Sequence, residues 1–183
     1  MVSKPDPSTS SDPVPTGHKR RRLRGILVNL TLIVVIYAGV QWYQSRPLAS
    51  GDAPALAGEL LTRTPFDLDA WRGRPVLVHF WATWCPLCKI GQGSIAAIAE
   101  DHAVISVAMQ SGGPDAIQAY LAEHGLDFPT LNDPYGEIAA AWGVRAVPAS
   151  FIIDSDGRVR FATAGYTTGL SLRGRLWAAG AFD

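Results

Sequence analysis

The sequence predicts an α/β domain around a mixed central sheet, a βαβ unit followed by a ββα unit with helices on both faces, placed after a single membrane-spanning helix. Three observations carry this expectation. Residues 76–81 and 104–109 are apolar, β-prone runs of the kind that fill buried central strands, and a stretch able to form a helix, 86–100, separates them. That order implies a right-handed parallel crossover. Residues 150–153 and 158–161 flank Asp154-Ser155-Asp156-Gly157, a strand, turn and strand with an Asp-Gly turn, and 170–179 close the domain as a helix. Finally, residues 26–43 are eighteen in a row without a charge.

At the front, residues 1–18 are rich in Pro, Ser, Thr and Asp and have almost no large apolar side chain, so no burial offsets the entropy of ordering them. With Lys19-Arg20-Arg21-Arg22-Leu23-Arg24 they form an expected disordered, basic cytoplasmic tail, 1–24. The uncharged run then predicts a transmembrane helix over 25–44. At 1.5 Å per residue it is about 27 Å long against about 30 Å of hydrocarbon, with Trp42 and Tyr43 as interfacial aromatics. The basic residues before it stay inside, which sends the rest of the chain across the membrane. A cleavable signal peptide begins in the same way, but this apolar run is long and no small-x-small cleavage site stands around 45–51. Residues 45–57, small and proline-containing, are expected as a linker, and 58–183 as the folded domain.

Within the domain, 60–68 predict a short hairpin or strand and 69–73 a helical turn. The segment Gln110-Ser111-Gly112-Gly113 ends at the same sheet edge as Cys85, because parallel strands end on one side. It either borders the cysteines or is a glycine turn before the next helix. That helix opens at Pro114-Asp115 and runs to His124, with Ile117, Tyr120 and Leu121 at helical spacing and Gly125 as C-cap. Residues 133–142 predict a shorter helix stopped by Gly143.

The only two cysteines are Cys85 and Cys88. Two intervening residues let one helical turn bring both sulfurs together, so the pair can close a small, reversible disulfide. Pro86 fits the first helical turn, where its missing N–H is no loss, and this puts Cys85 at a helix N-terminus. The free N–H groups there favour a thiolate, which makes Cys85 the expected attacking sulfur and Cys88 the resolving one. Zinc binding needs about four ligands, and no second cysteine pair supplies the others, while His18, His79, His102 and His124 are scattered. Metal binding and inert bridging remain the competing readings of the pair.

Phe80-Trp81-Ala82-Thr83-Trp84-Cys85-Pro86-Leu87-Cys88 resembles the active-site signature of the thioredoxin superfamily, in the form found in membrane-tethered TlpA/ResA-like proteins. The resemblance continues through Leu126-Asp127-Phe128-Pro129, Asn132-Asp133-Pro134, Trp142-Gly143-Val144 and Val147-Pro148-Ala149-Ser150-Phe151-Ile152-Ile153-Asp154. Val107-Ala108-Met109-Gln110-Ser111-Gly112 and Gly165-Tyr166-Thr167-Thr168 are most similar to the suppressor-of-copper-sensitivity D type of protein disulfide oxidoreductase. The resemblance implies a thioredoxin-like fold with Cys85 and Cys88 as the redox-active disulfide. It also implies a cis bond before Pro148, with Trp84, Pro86, Val147 and Pro148 meeting the substrate. Trp81 is expected in the core instead. Two positions depart from the pattern. Many thioredoxins have a buried carboxylate six residues before the first cysteine, where this chain has His79, either a proton relay or a neutral core histidine. Gly93 stands where the family often has proline, and with Gly91 it weakens or bends the early helix.

Formal charge is zero overall, but residues 1–24 carry six basic and two acidic groups, leaving the remainder about −4. No basic patch argues for nucleic acid, and the positive run is explained by topology. The resemblance implies a protein of the bacterial inner membrane, its N-terminus cytoplasmic and its domain periplasmic, that needs no cofactor or metal. It implies reduction of disulfides in exported proteins, in a copper-stress, redox-stress or cytochrome-maturation setting, with electrons from a DsbD-like membrane donor. A disulfide oxidase or isomerase is the same chemistry reversed. A non-catalytic copper module, built on the soft thiolates and Met109, is the alternative from another class.

Overall fold

This computed structural model describes residues 27–36, 38–40 and 48–181. They fall in two units, one up to Val40 and one from Gln41. In the first, 27–36 and 38–40 are helical (α1) and exposed. Among the described residues no helix is long and apolar enough to cross a membrane. The expected tail 1–24 and both ends of the expected 25–44 span lie outside the described residues.

In the second unit, strand β4 (Val76–Trp81) lies inside a six-stranded sheet. Its partners are β5 (Ala103–Met109), parallel, and β7 (Ala149–Ile153), antiparallel. Beyond β5 runs β6 (Thr130–Asp133), also parallel, and beyond β7 run β8 (Arg158–Ala164) and β1 (Gly51–Asp52), both antiparallel. The order across the sheet is β1-β8-β7-β4-β5-β6. A separate hairpin pairs β2 (Ala57–Glu59) with β3 (Pro65–Asp67), and a 3-10 turn, Leu68–Trp71, leads back to β4. The helices are α2 (Pro86–Ala99), α3 (Pro114–Glu123), α4 (Glu137–Ala141) and α5 (Gly169–Ala181). The expected βαβ and ββα units are both present.

Side chains alternate across the sheet, as the period of two demands. Val76, Val78 and Phe80 of β4 join Ile105, Val107, Phe151 and Ile153 in one core, closed by Trp142, Leu56 and Phe66. Phe80, Phe151 and Trp142 pack there with centroids 4.9 to 5.7 Å apart. Leu77 and Trp81 face the other core, with Ile95 and Ile98 of α2, Ile117 of α3, and Leu172 and Leu176 of α5. The same alternation places His79 of β4 and Ser150 of β7, directly opposite in register, under α2.

Two expectations need correction. The stretch 45–57 is not a linker from Leu48 onward. Leu48 and Leu56 are buried in the core, the Ala49 N–H donates to the Trp142 carbonyl (3.0 Å), and β1 pairs with β8. The folded domain therefore begins about ten residues earlier than 58, because two isolated leucines anchor an otherwise small-residue segment. The second correction is at 133–142, expected as one helix: α4 covers only Glu137–Ala141, and Asp133 instead ends strand β6. Its place is set by pairing with β5 and by a directional chain: the Trp81 indole N–H donates to the Ser106 hydroxyl, which donates to Thr130 Oγ1, which donates to the Phe128 carbonyl.

Candidate active site

After β4 the chain turns sharply, the Cys85 N–H donating to the Ala82 carbonyl (3.2 Å), and α2 begins at once. Cys85 is the N-cap, in extended conformation (φ −89°, ψ 110°), and Pro86 holds the first helical position. Cys85 and Cys88 form a disulfide with Cα atoms 5.3 Å apart. The Cys88 N–H donates to Cys85 Sγ at 3.1 Å. A first-turn N–H aimed at a sulfur stabilises negative charge on it, so the helix is built to favour thiolate at Cys85 once the bond opens. Cys85 is 4% exposed and Cys88 1%, which leaves Cys85 as the sulfur a partner reaches.

The Val147–Pro148 bond is cis, and the Val147 carbonyl lies 3.5 Å from Cys85 Sγ. A disulfide sulfur has no hydrogen, so this becomes a hydrogen bond only when Cys85 is a thiol. Trp84 stands 57% exposed, its indole N–H donating to the Gln110 carbonyl at 2.9 Å. Ser111 Oγ accepts the Thr83 N–H (3.0 Å) and donates to the Met109 carbonyl (3.0 Å). The segment after β5 thus borders the cysteines and holds the loop before them. Gln110 is left-handed (φ 48°), with its N–H donating to the Asp133 carbonyl at 2.8 Å. Leu87, Ile90 and Tyr166 are exposed apolar side chains as well. Lys89 lies over the Tyr120 ring, 5.8 Å from its centroid.

His79 is buried, with Nδ1 3.0 Å from Ser150 Oγ. Burial pushes its pKa down from 6.5 to about 4, so the ring is neutral at neutral pH. It shares a small cavity with Cys88 and Pro148. Of the other histidines, His124 stacks on Tyr120 (4.1 Å) and His102 lines a cleft of about 720 Å³ at the far ends of β4 and β5, with Trp71, Arg74 and Trp177. Among the described residues no three His, Cys, Asp or Glu side chains cluster as a metal site.

Sequence reasoning left the roles of Gln110 and Ser111 open and did not place Ser150, Tyr166 or Thr167 at the site. For Tyr166 and Thr167 the signal was the Gly165–Thr168 run, which entered only as a resemblance.

Exchange of one sulfur partner for another is what a disulfide at a helix N-terminus can do, and this is the chemistry of thioredoxin-like thiol:disulfide oxidoreductases. The chain belongs to the redoxin family, which it matches over residues 49–171. It is 30% identical over 163 residues to a thioredoxin-like protein of Haemophilus influenzae, covering 88% of this chain and 96% of that one. Over 124 residues it is 36% identical to the thiol:disulfide interchange protein HelX of Rhodobacter capsulatus, covering 66% and 70%. A secreted Mycobacterium tuberculosis disulfide oxidoreductase homologous to DsbE superposes with a TM-score of 0.59 at 27% identity, covering 67% of this chain and 95% of that one. The expected thioredoxin-like fold and oxidoreductase class are thereby borne out.

Proposed function

We propose that this protein is a membrane-anchored periplasmic reductant of disulfides in exported proteins, acting through Cys85 and Cys88. The observation that carries the reading is the Cys88 N–H on Cys85 Sγ at the start of α2, with Cys88 buried behind it. In the dithiol form, Cys85 thiolate attacks a substrate disulfide. A bond forms between Cys85 and one substrate sulfur, and the other leaves as a thiolate that takes up a proton. Cys88 then loses its proton and attacks Cys85 Sγ, closing the Cys85–Cys88 bond and releasing the second substrate thiol. Two electrons pass from the protein to the substrate, and the disulfide form remains.

Trp84 and Pro86 offer the partner a flat apolar surface, and the Val147 backbone before cis-Pro148 receives it as an extended strand. His79 takes part in moving the Cys88 proton. The expected span 25–44 anchors the domain with its N-terminus in the cytoplasm, a reading supported by the eighteen-residue uncharged run behind five basic residues. A DsbD-like donor would return the two electrons and protons, since that compartment has no cytosolic reductant.

The direction of electron flow is tested by equilibrating the chain against glutathione or a reference thioredoxin. A potential near about −270 mV supports a reductant, whereas one near about −120 mV identifies a disulfide donor and overturns the reading.

A further inference from the structure

The chain leaves β8 through Gly165, whose N–H donates to the Pro148 carbonyl (2.7 Å) and whose φ of 86° is one that glycine adopts freely. The next residue, Tyr166, lays its ring on α2 at Gly91. A Cβ built at Gly91 would stand 3.5 and 3.6 Å from Cε2 and Cδ2 of the ring, so any side chain longer than alanine would displace it. Glycine is unfavourable inside a helix, and the seat of this ring gives Gly91 a packing reason. The far end of the loop is fixed too, because Thr168 Oγ1 accepts the Ser171 N–H (3.3 Å) in the first turn of α5. Leu87 lies one helical turn before Gly91 on the same face of α2. Tyr166 (39% exposed) and Leu87 (42%) wall a small cavity with Cys88 and Pro148. At about 10 Å³ the cavity admits no side chain, so a partner meets the outer faces of the ring and of Leu87. Among the described residues no Asp, Glu, Lys or Arg lines it.

We propose that Tyr166 determines specificity: with Leu87 it seats a large apolar side chain beside the substrate's cysteine, so the protein prefers disulfides in extended segments whose cysteine is flanked by aromatic or aliphatic residues. This rests on the exchange reading above and names the substrate class of that site. The surface is continuous with the reacting sulfurs, since Leu87 stands between Cys85 and Cys88 in the chain and Pro148 follows the Val147 backbone that receives the substrate. Extended chain advances about 3.3 Å per residue, so a substrate sulfur bonded to Cys85 brings its flanking residues within reach of the ring. An apolar flank leaves water for the ring and Leu87, which is favourable. A carboxylate there would give up water and meet no cation. A tyrosine fits this task because it offers a wide contact face with few rotatable bonds, and here the ring is already held on α2 before a partner arrives.

The test uses the full chain, reduced, and short peptides with one cysteine held as a mixed disulfide with thionitrobenzoate and flanked on both sides by Phe, Ala or Asp. The Cys85 thiolate bonds to the peptide sulfur and the aromatic sulfur leaves as a coloured thiolate, so stopped flow reads the second-order rate of attack. The quantity compared is the ratio of Phe-flanked to Ala-flanked rates within each protein. In wild type it should be about ten, the worth of one good aromatic contact, with the Asp-flanked peptide slowest. Tyr166→Ala should bring the ratio down to about two, and Tyr166→Phe, which keeps the ring, should hold it near the wild-type value. A wild-type ratio near one, or a ratio unchanged in Tyr166→Ala, overturns the proposal. If Tyr166→Ala does not fold, NMR of the Cys88→Ser chain trapped with the Phe-flanked peptide decides: contacts between the Tyr166 ring protons and a peptide Phe ring support the seat, and their absence refutes it. A wild-type chain that attacks none of the peptides overturns the exchange mechanism itself, a result distinct from equal attack on all three.

Discussion

Replacing His79 by Asn should flatten the acid limb of the stability curve by an amount the structure fixes. The folded protein holds His79 near a pKa of about 4, while the unfolded chain returns it to 6.5. Below pH 6.5 the unfolded state therefore binds a proton that the folded state refuses, and stability falls with falling pH until the folded ring also protonates near 4. Between pH 7 and 5 the loss from this one group is about 2 kcal/mol, rising to about 3 kcal/mol by pH 4. Asparagine at this position can still bond Ser150 and does not titrate. Urea unfolding of the oxidised chain at pH 7, 6 and 5 measures the effect, with wild type and His79→Asn compared at each pH so that the carboxylates cancel. The expected result is a wild-type curve steeper by about 2 kcal/mol over this window. Parallel curves would refute the claim that His79 is buried and neutral.

Three other substitutions test separate parts of the structure. Gly93 sits exposed inside α2 with nothing within 4 Å of a built Cβ, so Gly93→Ala should stabilise the domain by about 0.5–1 kcal/mol in urea titration. Asp133 is buried and its two carboxylate oxygens accept the Ile138 and Ala139 N–H groups (3.2 and 2.9 Å). Asp133→Ala leaves both donors unpaired and should cost about 2 kcal/mol, read as a lower Tm. Cys88→Ser should let Cys85 attack but not resolve, so incubation with a disulfide substrate should accumulate a covalent adduct seen by mass spectrometry. An adduct no more abundant in the Cys88→Ser chain than in wild type would show that Cys85 is not the attacking sulfur.

The parts of the fold that were legible in sequence are those where a local pattern and the tertiary role agree. An apolar run of six followed by Cys-Pro reads as a buried strand feeding a helix N-terminus, and so it folds, with Cys85 as N-cap. The Asp154–Gly157 turn reads equally well, because Asp154 Oδ1 accepts the Asp156 and Arg158 N–H groups and Gly157 takes φ 83°. Where the decisive partner is remote the pattern fails. Thr130-Leu131-Asn132-Asp133 has no strand signature of its own and is extended because Ser106 to Met109 pair with it. Leu48 and Leu56 looked like linker residues, since nothing nearby shows that a core receives them. The left-handed turn at Gln110, whose carbonyl receives the Trp84 indole, uses a residue with no special preference for that conformation.

His79 joins the two halves of this picture. A carboxylate in its place would bring a negative charge close to a second negative charge when Cys88 ionises, and like charges in a buried site oppose each other. An imidazole brings none, and its protonated form would attract the thiolate instead. The cost is sensitivity to acid, because the burial that keeps the ring neutral also excludes the proton offered below pH 6.5. Stability and kinetics therefore report on the same side chain. If His79→Asn removes the acid slope and also slows resolution, the buried ring serves the chemistry at the expense of acid stability. If the slope vanishes while resolution keeps its wild-type rate and pH profile, His79 is a core residue and the proton of Cys88 leaves by another path.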